Sequence, residues 1–454
     1  MAVVALSTAP VRLERTRLDC RLAAPDVLRA LAAEPWPFAL TGEWAGGGAV
    51  VGSRPLIEPD ESADPFALLD ALPPVDDAGV PAGAVGGGWF GWLGYRLGRR
   101  IEVLPEGPPR PVPLPDFQLA YYDNVLRRDV AGNWWFEALV SEARRSALSA
   151  RLAQLRDRLG QPAAAPAWSA PEPFELSPEA QEAHMAAVQQ CRERIAAGEI
   201  FQANICLRLE SRFDGALIEL FARAASALNP GYAAAFAAPW GGIASLSPEL
   251  FLRHRGPYVV TAPIKGTVRR TGDRRGDRAA VAGLRESAKD AAEHVMIVDL
   301  MRNDLGRVCE YGSVQAPRWP YAEELPGLWH LVSRVTGRMR RNARRGDLLR
   351  ATFPPGSVTG APKVQAMKVI SALESSGREA YTGAVGFSSP CAGLELNVAI
   401  RTLELCGGRL WLGVGGGIVA DSDPARELDE VVVKASPILG ALGCELRLGA
   451  PVAV

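Results

Sequence analysis

The chain has 454 residues, 48% of them hydrophobic, and its 50 lysines and arginines are balanced by 51 aspartates and glutamates. That near-neutral balance leaves no bulk field to draw nucleic acid or an anionic membrane, and no apolar run approaches the roughly 18 residues of a spanning helix. The opening MAVVALSTAP lacks a basic leader, and the seven cysteines are odd in number without CxxC spacing, so reduced thiols in a cytoplasm are expected rather than disulfides or a zinc site.

At about 150 residues per unit the length suggests two or three units. Residues 1–165 alternate short apolar runs with Gly/Pro turns, which predicts strands and a few helices ending in a helical stretch around Glu142–Leu159. Gly86, Gly88 and Gly91 satisfy GxGxxG, but Trp89 and Phe90 would obstruct a pyrophosphate, and no βαβ pattern surrounds them. A glycine-rich strand packing its aromatics is the expectation there. The stretch Gln161–Pro178 is rich in Ala and Pro without hydrophobic periodicity, so a boundary is placed there, with 178–454 as the second region. Pro178–Ala197 reads as a helix stopped by Gly198.

The second region carries the polar residues that interrupt apolar patterns. In Phe201–Glu210 one strand face holds Gln202, Asn204, Cys206 and Arg208, a pattern that an ordinary solvated face also satisfies. Glu249 follows Pro248 in SLSPELF. Lys265 stands between Ile264 and Gly266; a lysine at a strand end is usually a snorkelling surface group, yet the glycine would admit a ligand and apolar neighbours would favour the neutral, nucleophilic amine. Glu286, Asp290 and Glu293 fall on one face of a helix expected over Glu286–Leu300. Asp423 looks like an N-cap before a helix carrying Glu427 and Glu430. Acids on two helices are commonly solvated; if the helices face each other, an oxygen-only set suits Mg²⁺. PPGSVTGAPK places small residues before a helix start, a ready carboxylate site or a plain capped turn. Arg401 alternates with Leu396, Val398 and Ile400, and Gly415, Gly416 and Gly417 offer a bare backbone or a flexible turn.

In order and spacing, GEIFQANICLRL, SLSPELF, TAPIKGT, SAKDAAEHVMIVDLMRNDLGRV, LPGLWHLVSRVTG, PPGSVTGAPKVQAM, YTGAVGF, LNVAIRT and GGGIVADSDP resemble the chorismate-utilising enzymes over about Pro178–Leu439. GGWFGWLGYRLGRRIEVLP and PDFQLAYYDN look more loosely like that family's amino-terminal region. Isochorismate and salicylate synthases carry lysine where this chain has Gln202, and anthranilate synthases carry alanine where it has Lys265. The combination of Gln202 with Lys265 resembles the aminodeoxychorismate synthases.

The resemblance implies an α+β fold, a two-lobed sandwich of large, mostly antiparallel sheets with helices outside and the site in the cleft between lobes. It implies that Lys265 adds to chorismate C2, with Glu249 as general acid and His330 helping to position the departing hydroxyl. Mg²⁺ would be held by Glu293 and Glu430, with Asp290 and Glu427 in support. Gln202, Thr267, Thr359, Tyr381, Arg401 and Gly415–Gly417 would line the chorismate site. Ammonia is expected from a separate glutamine amidotransferase subunit, since no GxCxG-type motif surrounds any cysteine, and the product would feed 4-aminobenzoate and folate synthesis. Some relatives hold tryptophan in an N-terminal pocket. The alternatives are anthranilate synthase component I and a non-catalytic chorismate-binding subunit. Leu250, Pro355 and the Val268-Arg269-Arg270 stretch depart from the family pattern without removing an expected catalytic group.

Overall fold

Alternation with a period of two decides the architecture. In the strand Tyr232–Ala238, Tyr232, Ala234 and Phe236 enter one apolar cluster, while Ala233 and Ala235 enter another on the opposite face. A strand buried on both faces belongs inside a layered structure. In the computed structural model the described residues are 10–449, except 77–78, 112, 162–165, 287, 318–319 and 326–327; the side chains at 267, 269, 284–286, 288–292, 324, 325 and 328 also lie outside the description.

The large sheet has 13 strands among the described residues, running from Arg12–Leu18 at one edge to Leu446–Leu448 at the other. Its middle is the series Phe38–Gly42, Tyr232–Ala238, Gly241–Ser247, Thr402–Cys406, Arg409–Ile418 and Gln202–Arg212. The second sheet has seven strands, including Gly88–Leu93, Ala384–Ser389, Gly393–Val398 and Leu250–Arg255. Pairing is antiparallel throughout both, apart from the parallel contact of Leu446–Leu448 with Phe174–Leu176. A small third sheet orders Ile264–Arg269, Leu328–Val332 and Tyr321–Leu325.

The two large sheets meet through aromatic residues. Phe38 stacks on Phe90 of the facing sheet at 4.5 Å between centroids and on Phe236 of its own at 5.5 Å. Full burial of such a ring contributes about 1.5–3 kcal/mol, and its truncation to alanine costs about 3–5 kcal/mol. On the outer face of the large sheet lie the helices Ala24–Ala30, Arg145–Leu159, Leu217–Leu228 and Pro424–Leu442, which insert Val27, Leu148, Phe221 and Val431 among others. The helices Ala288–Gly306 and Arg345–Thr352 cover the second sheet with Ile297, Met301, Leu305, Leu348 and Leu349. The expected sandwich with helices outside is the fold observed. Strands from either side of the Gln161–Pro178 stretch share one ladder, Phe38–Gly42 pairing with Tyr232–Ala238.

Gly88–Leu93 is a fully buried strand, as its aromatics suggest. Pro178–Ala196 is a helix whose Ser177 cap accepts from the Ala180 N–H at 3.3 Å. Helix is observed at Glu286 and over Ala288–Gly306, as expected for Glu286–Leu300, with residue 287 outside the described residues. Two local expectations differ from the structure. The run Gly415–Gly417 is no turn but part of the strand Arg409–Ile418, because a long-range partner, Gln202–Arg212, is there to pair with it. Arg401 lies beyond the end of Gly393–Val398 with φ of 50°, so strand alternation does not set its direction. No helix among the described residues is long and apolar enough to cross a membrane.

Candidate active site

The floor of the site is the pair of strands Gln202–Arg212 and Arg409–Ile418, in register Gly415 with Cys206, Gly416 with Ile205 and Gly417 with Asn204. Missing side chains make room above this floor. A Cβ on Gly417 would lie 2.1 Å from Gln202 Nε2 and 3.5 Å from Glu293 Oε2. One on Gly416 would lie 3.0 Å from Glu427 Oε2, 3.7 Å from Glu430 Oε1 and 3.8 Å from Lys434 Nζ. Acids from the two helices therefore do approach the same bare stretch of strand.

One helix start is built to present two of them. Asp423 caps Pro424–Leu442 by accepting from the Arg426 N–H at 3.0 Å, and Glu427 and Glu430 follow in the first two turns. Glu427 is buried and accepts a 2.6 Å hydrogen bond from the Ser422 hydroxyl. Glu430 pairs with Lys434 at 2.7 Å, and the same ammonium donates to the Gly415 carbonyl at 2.9 Å. Lys434 belongs to the stretch after GGGIVADSDP that follows the family pattern, E..E...KA, but carries no expected role; its i+4 spacing from Glu430 on a helix is a readable signal. Among the described residues no three His, Cys, Asp or Glu side chains converge closely enough to hold a metal unaided. The side chain of Asp290 lies outside the described residues.

Lys265 enters from the third sheet. Its strand slips register against Leu328–Val332 between Lys265 and Thr267, where Gly266 takes φ of 77°. Such a bulge re-aims the neighbouring side chain, and the left-handed φ explains why the residue is glycine. Lys265 Nζ lies 3.6 Å from Glu293 Oε2, both side chains largely enclosed. The Thr267 backbone pairs with His330, while its side chain lies outside the described residues.

Burial tunes the titratable groups. Glu249, on the turn between Gly241–Ser247 and Leu250–Arg255, is 4% exposed, and burial pushes its carboxyl up to about 7 against the pull of nearby Ser357, Lys265 and the Ile264 backbone. His330 is held down to about 4, first by burial and then by the charge of Arg401, so its imidazole is neutral at pH 7. Burial also lowers Arg401, which has no carboxylate partner among the described residues.

The remaining candidates are held by buried networks. Thr359 donates to the Pro355 carbonyl at 2.8 Å and accepts from the Asn204 N–H at 2.9 Å, which locks the PPGSVTG turn against the floor. Tyr381 lies over Gly413, with its hydroxyl 3.8 Å from Cys206 Sγ and its backbone N–H donating to Glu404 at 2.9 Å. Arg378, paired with Glu374, donates to the carbonyls of Asn204 and Val358 at 2.5 and 2.8 Å. Arg378 and Glu374 are only four residues apart, a spacing readable on a helix, but the Asn204 carbonyl that Arg378 holds and the Glu404 that holds Tyr381 are distant in the chain.

The pattern of the chorismate binding enzymes matches residues 57–440. Aminodeoxychorismate synthase component 1 of Salmonella typhimurium is 37% identical over 386 residues, covering 82% of this chain and 80% of that protein. Its Escherichia coli counterpart is 37% identical over 361 residues, covering 78% and 77%. The crystal structure of anthranilate synthase component I from Streptococcus pneumoniae is similar with a TM-score of 0.74 at 26% identity, covering 96% of this chain and 94% of that one.

Proposed function

The chain belongs to the chorismate-binding enzyme family, and from that premise we propose that it is the synthase subunit of an aminodeoxychorismate synthase, turning chorismate and ammonia into 4-amino-4-deoxychorismate and water. The observation that carries this reading is the pairing of Gln202 with Lys265 at one site: an amide where water activation would need lysine, and an amine where anthranilate synthases have none. The enclosed Glu249 supports it, because a carboxyl pushed up to about 7 holds a proton to give.

In the proposed reaction the Lys265 amine forms a C2–N bond as the C4–O bond breaks. Glu249 gives its proton to the departing hydroxyl, which leaves as water. Both ring double bonds move in that step; ammonia then forms the C4–N bond, the two double bonds shift back, and the C2–N bond to Lys265 breaks. The surplus proton on the new amine returns to Glu249. Neutral His330 steadies the departing oxygen without adding positive charge beside Lys265. Arg401 pairs with a substrate carboxylate, and Gln202, Thr267, Thr359, Tyr381 and the Gly415–Gly417 backbone shape the pocket.

Glu293 and Glu430 would hold Mg²⁺, with Glu427 and Asp290 in support; the fit rests on their oxygen-only donors and on the space left by Gly416 and Gly417. When bound, that ion would hold the ring carboxylate and balance its charge. Lys265 and Lys434, which neutralise Glu293 and Glu430 here, would be free to turn towards substrate. A separate glutamine amidotransferase supplying ammonia, a cytoplasmic location, a role in 4-aminobenzoate and folate synthesis, and a tryptophan pocket in the N-terminal region are proposed on the resemblance alone.

The test is product analysis by chromatography and mass spectrometry after incubation with chorismate, Mg²⁺ and ammonium, with and without an aminodeoxychorismate lyase. Aminodeoxychorismate, converted by the lyase to 4-aminobenzoate, is expected. Anthranilate would instead favour the second reading, for which the similarity to anthranilate synthase component I speaks. Chorismate bound but unconverted, even with an amidotransferase present, would leave a non-catalytic subunit.

A further inference from the structure

His294 follows Glu293 on the helix Ala288–Gly306, and Ser333 directly follows the strand Leu328–Val332. Their side chains meet at 2.6 Å, His294 Nε2 to Ser333 Oγ, and both residues are buried, at 3% and 1% exposure. The Ser333 backbone N–H donates to the Pro263 carbonyl at 3.3 Å, two residues before Lys265. One side-chain bond therefore joins the helix that bears Glu293 to the ladder that bears Lys265 and His330. Across that same junction Lys265 and Glu293 face each other at 3.6 Å.

We propose that His294 and Ser333 are positioning residues, a strut between helix and ladder that sets where the Lys265 amine stands relative to Glu293. The inference rests on the reading of Lys265 and Glu293 given above. Leu331 and Val332, next to Ser333 in the chain, are buried, and the cleft the pair lines carries Met296 and Val298 beside Asp299, Arg302 and Gln315. Packing alone at such a junction is satisfied by apolar side chains, and replacing both members of a buried polar pair with apolar groups is often nearly neutral for stability. A hydrogen bond adds what packing lacks, a fixed length and direction, and a reacting constellation needs its groups within about 0.5 Å of their working positions. Either imidazole tautomer gives the same spacing, since Ser333 can donate or accept.

Threonine and valine have nearly the same shape, so Ser333→Thr and Ser333→Val separate the hydroxyl from the volume it fills. Steady-state kinetics with chorismate and ammonium, normalised to folded protein by circular dichroism, supply the readout. Ser333→Val should lose about tenfold to a hundredfold in kcat, the scale of a misplacement of about 1 Å, with the chorismate KM changed less than about threefold. Ser333→Thr should recover most of that loss, and Ser333→Ala stands in if the larger residues do not fit. In the double variant His294→Gln with Ser333→Ala, the losses should not add, because one bond is removed once. Equal kcat for the threonine and valine variants, or losses that add, would overturn the strut. Failure of the underlying reading looks different: the wild type would give another product, or Lys265→Ala would turn over undiminished.

Discussion

At Glu249 a pKa is a stability term and, in the proposed reaction, a catalytic property as well. Its carboxyl rises from 4.5 to about 7 mainly through burial, so between those values the folded chain holds a proton that the unfolded chain has lost. Stability from this group is therefore fully present below about 4.5, falls as pH rises towards about 7, and stays lowered above that. As the acid it must carry its proton, so kcat/KM at fixed free ammonia should fall on the alkaline side with an apparent pKa near 7. Glu249→Gln should erase that limb and lower the rate by about 10²–10⁴-fold. The same variant should be more stable than wild type at pH 8, by up to about 3 kcal/mol, and no more stable at pH 4.5. A gain in thermal midpoint that is equal at both pH values would remove burial as the cause. Lys265→Ala should abolish aminodeoxychorismate formation while calorimetry still detects chorismate binding; undiminished turnover would end the covalent role.

Strands and helices decide whether such residues meet, and here sequence reading was uneven. The cap at Asp423 was legible: it stands before a proline and accepts from the first turn as local chemistry requires. The direction of Arg401 was not, because the strand that should have aimed it stops at Val398 and the chain turns with φ of 50°. By itself the glycine run fits bare backbone or a turn, and only its partner strand makes it the floor of the candidate site. That floor is testable. Gly417 has no left-handed φ, so alanine there is strained only by what its Cβ meets, the Gln202 amide at 2.1 Å and Glu293 at 3.5 Å. Gly417→Ala should push Gln202 aside and lower kcat/KM by about tenfold or more, with a stability change within the usual 0.5–3 kcal/mol of a point variant. The same substitution at Gly440, where a Cβ meets nothing within 4 Å, should leave kinetics unchanged. Wild-type kcat/KM for Gly417→Ala would mean that the space above the strand is not used by substrate.

Across the whole molecule, the sandwich was legible because motif order over most of the second region fixes a family, and the family fixes a fold. Which titratable groups that fold would bury was not legible, since no local pattern separates a buried histidine from a surface one. All four histidines of the chain are affected: His184, His254, His294 and His330 are each lowered to about 4, burial being the first cause every time. For a base the sign is the reverse of Glu249. Stability is fully present above the ordinary histidine value of 6.5 and is lost as pH falls towards about 4, because only the unfolded chain takes up the protons. At pH 5 the four histidines favour unfolding by three to four protons; Glu249 offsets about one, and Asp70, Asp304, Glu395 and Glu404, also raised by burial, offset in the same direction. At about 1.4 kcal/mol per pH unit for each proton, stability should fall by up to about 4 kcal/mol per unit near pH 5. Two units at that slope is about 8 kcal/mol, enough to unfold a chain in the lower half of the typical range of about 5–15 kcal/mol. Thermal midpoints measured at half-unit steps from pH 7.5 to 4.5 should drop steeply below 6.5, and His184→Asn, remote from the site on the helix Pro178–Ala196, should flatten the drop without changing kcat. Midpoints that hold level from pH 7 to 5 would mean that these imidazoles reach water in solution, and the neutral His330 of the proposed reaction would fall with them.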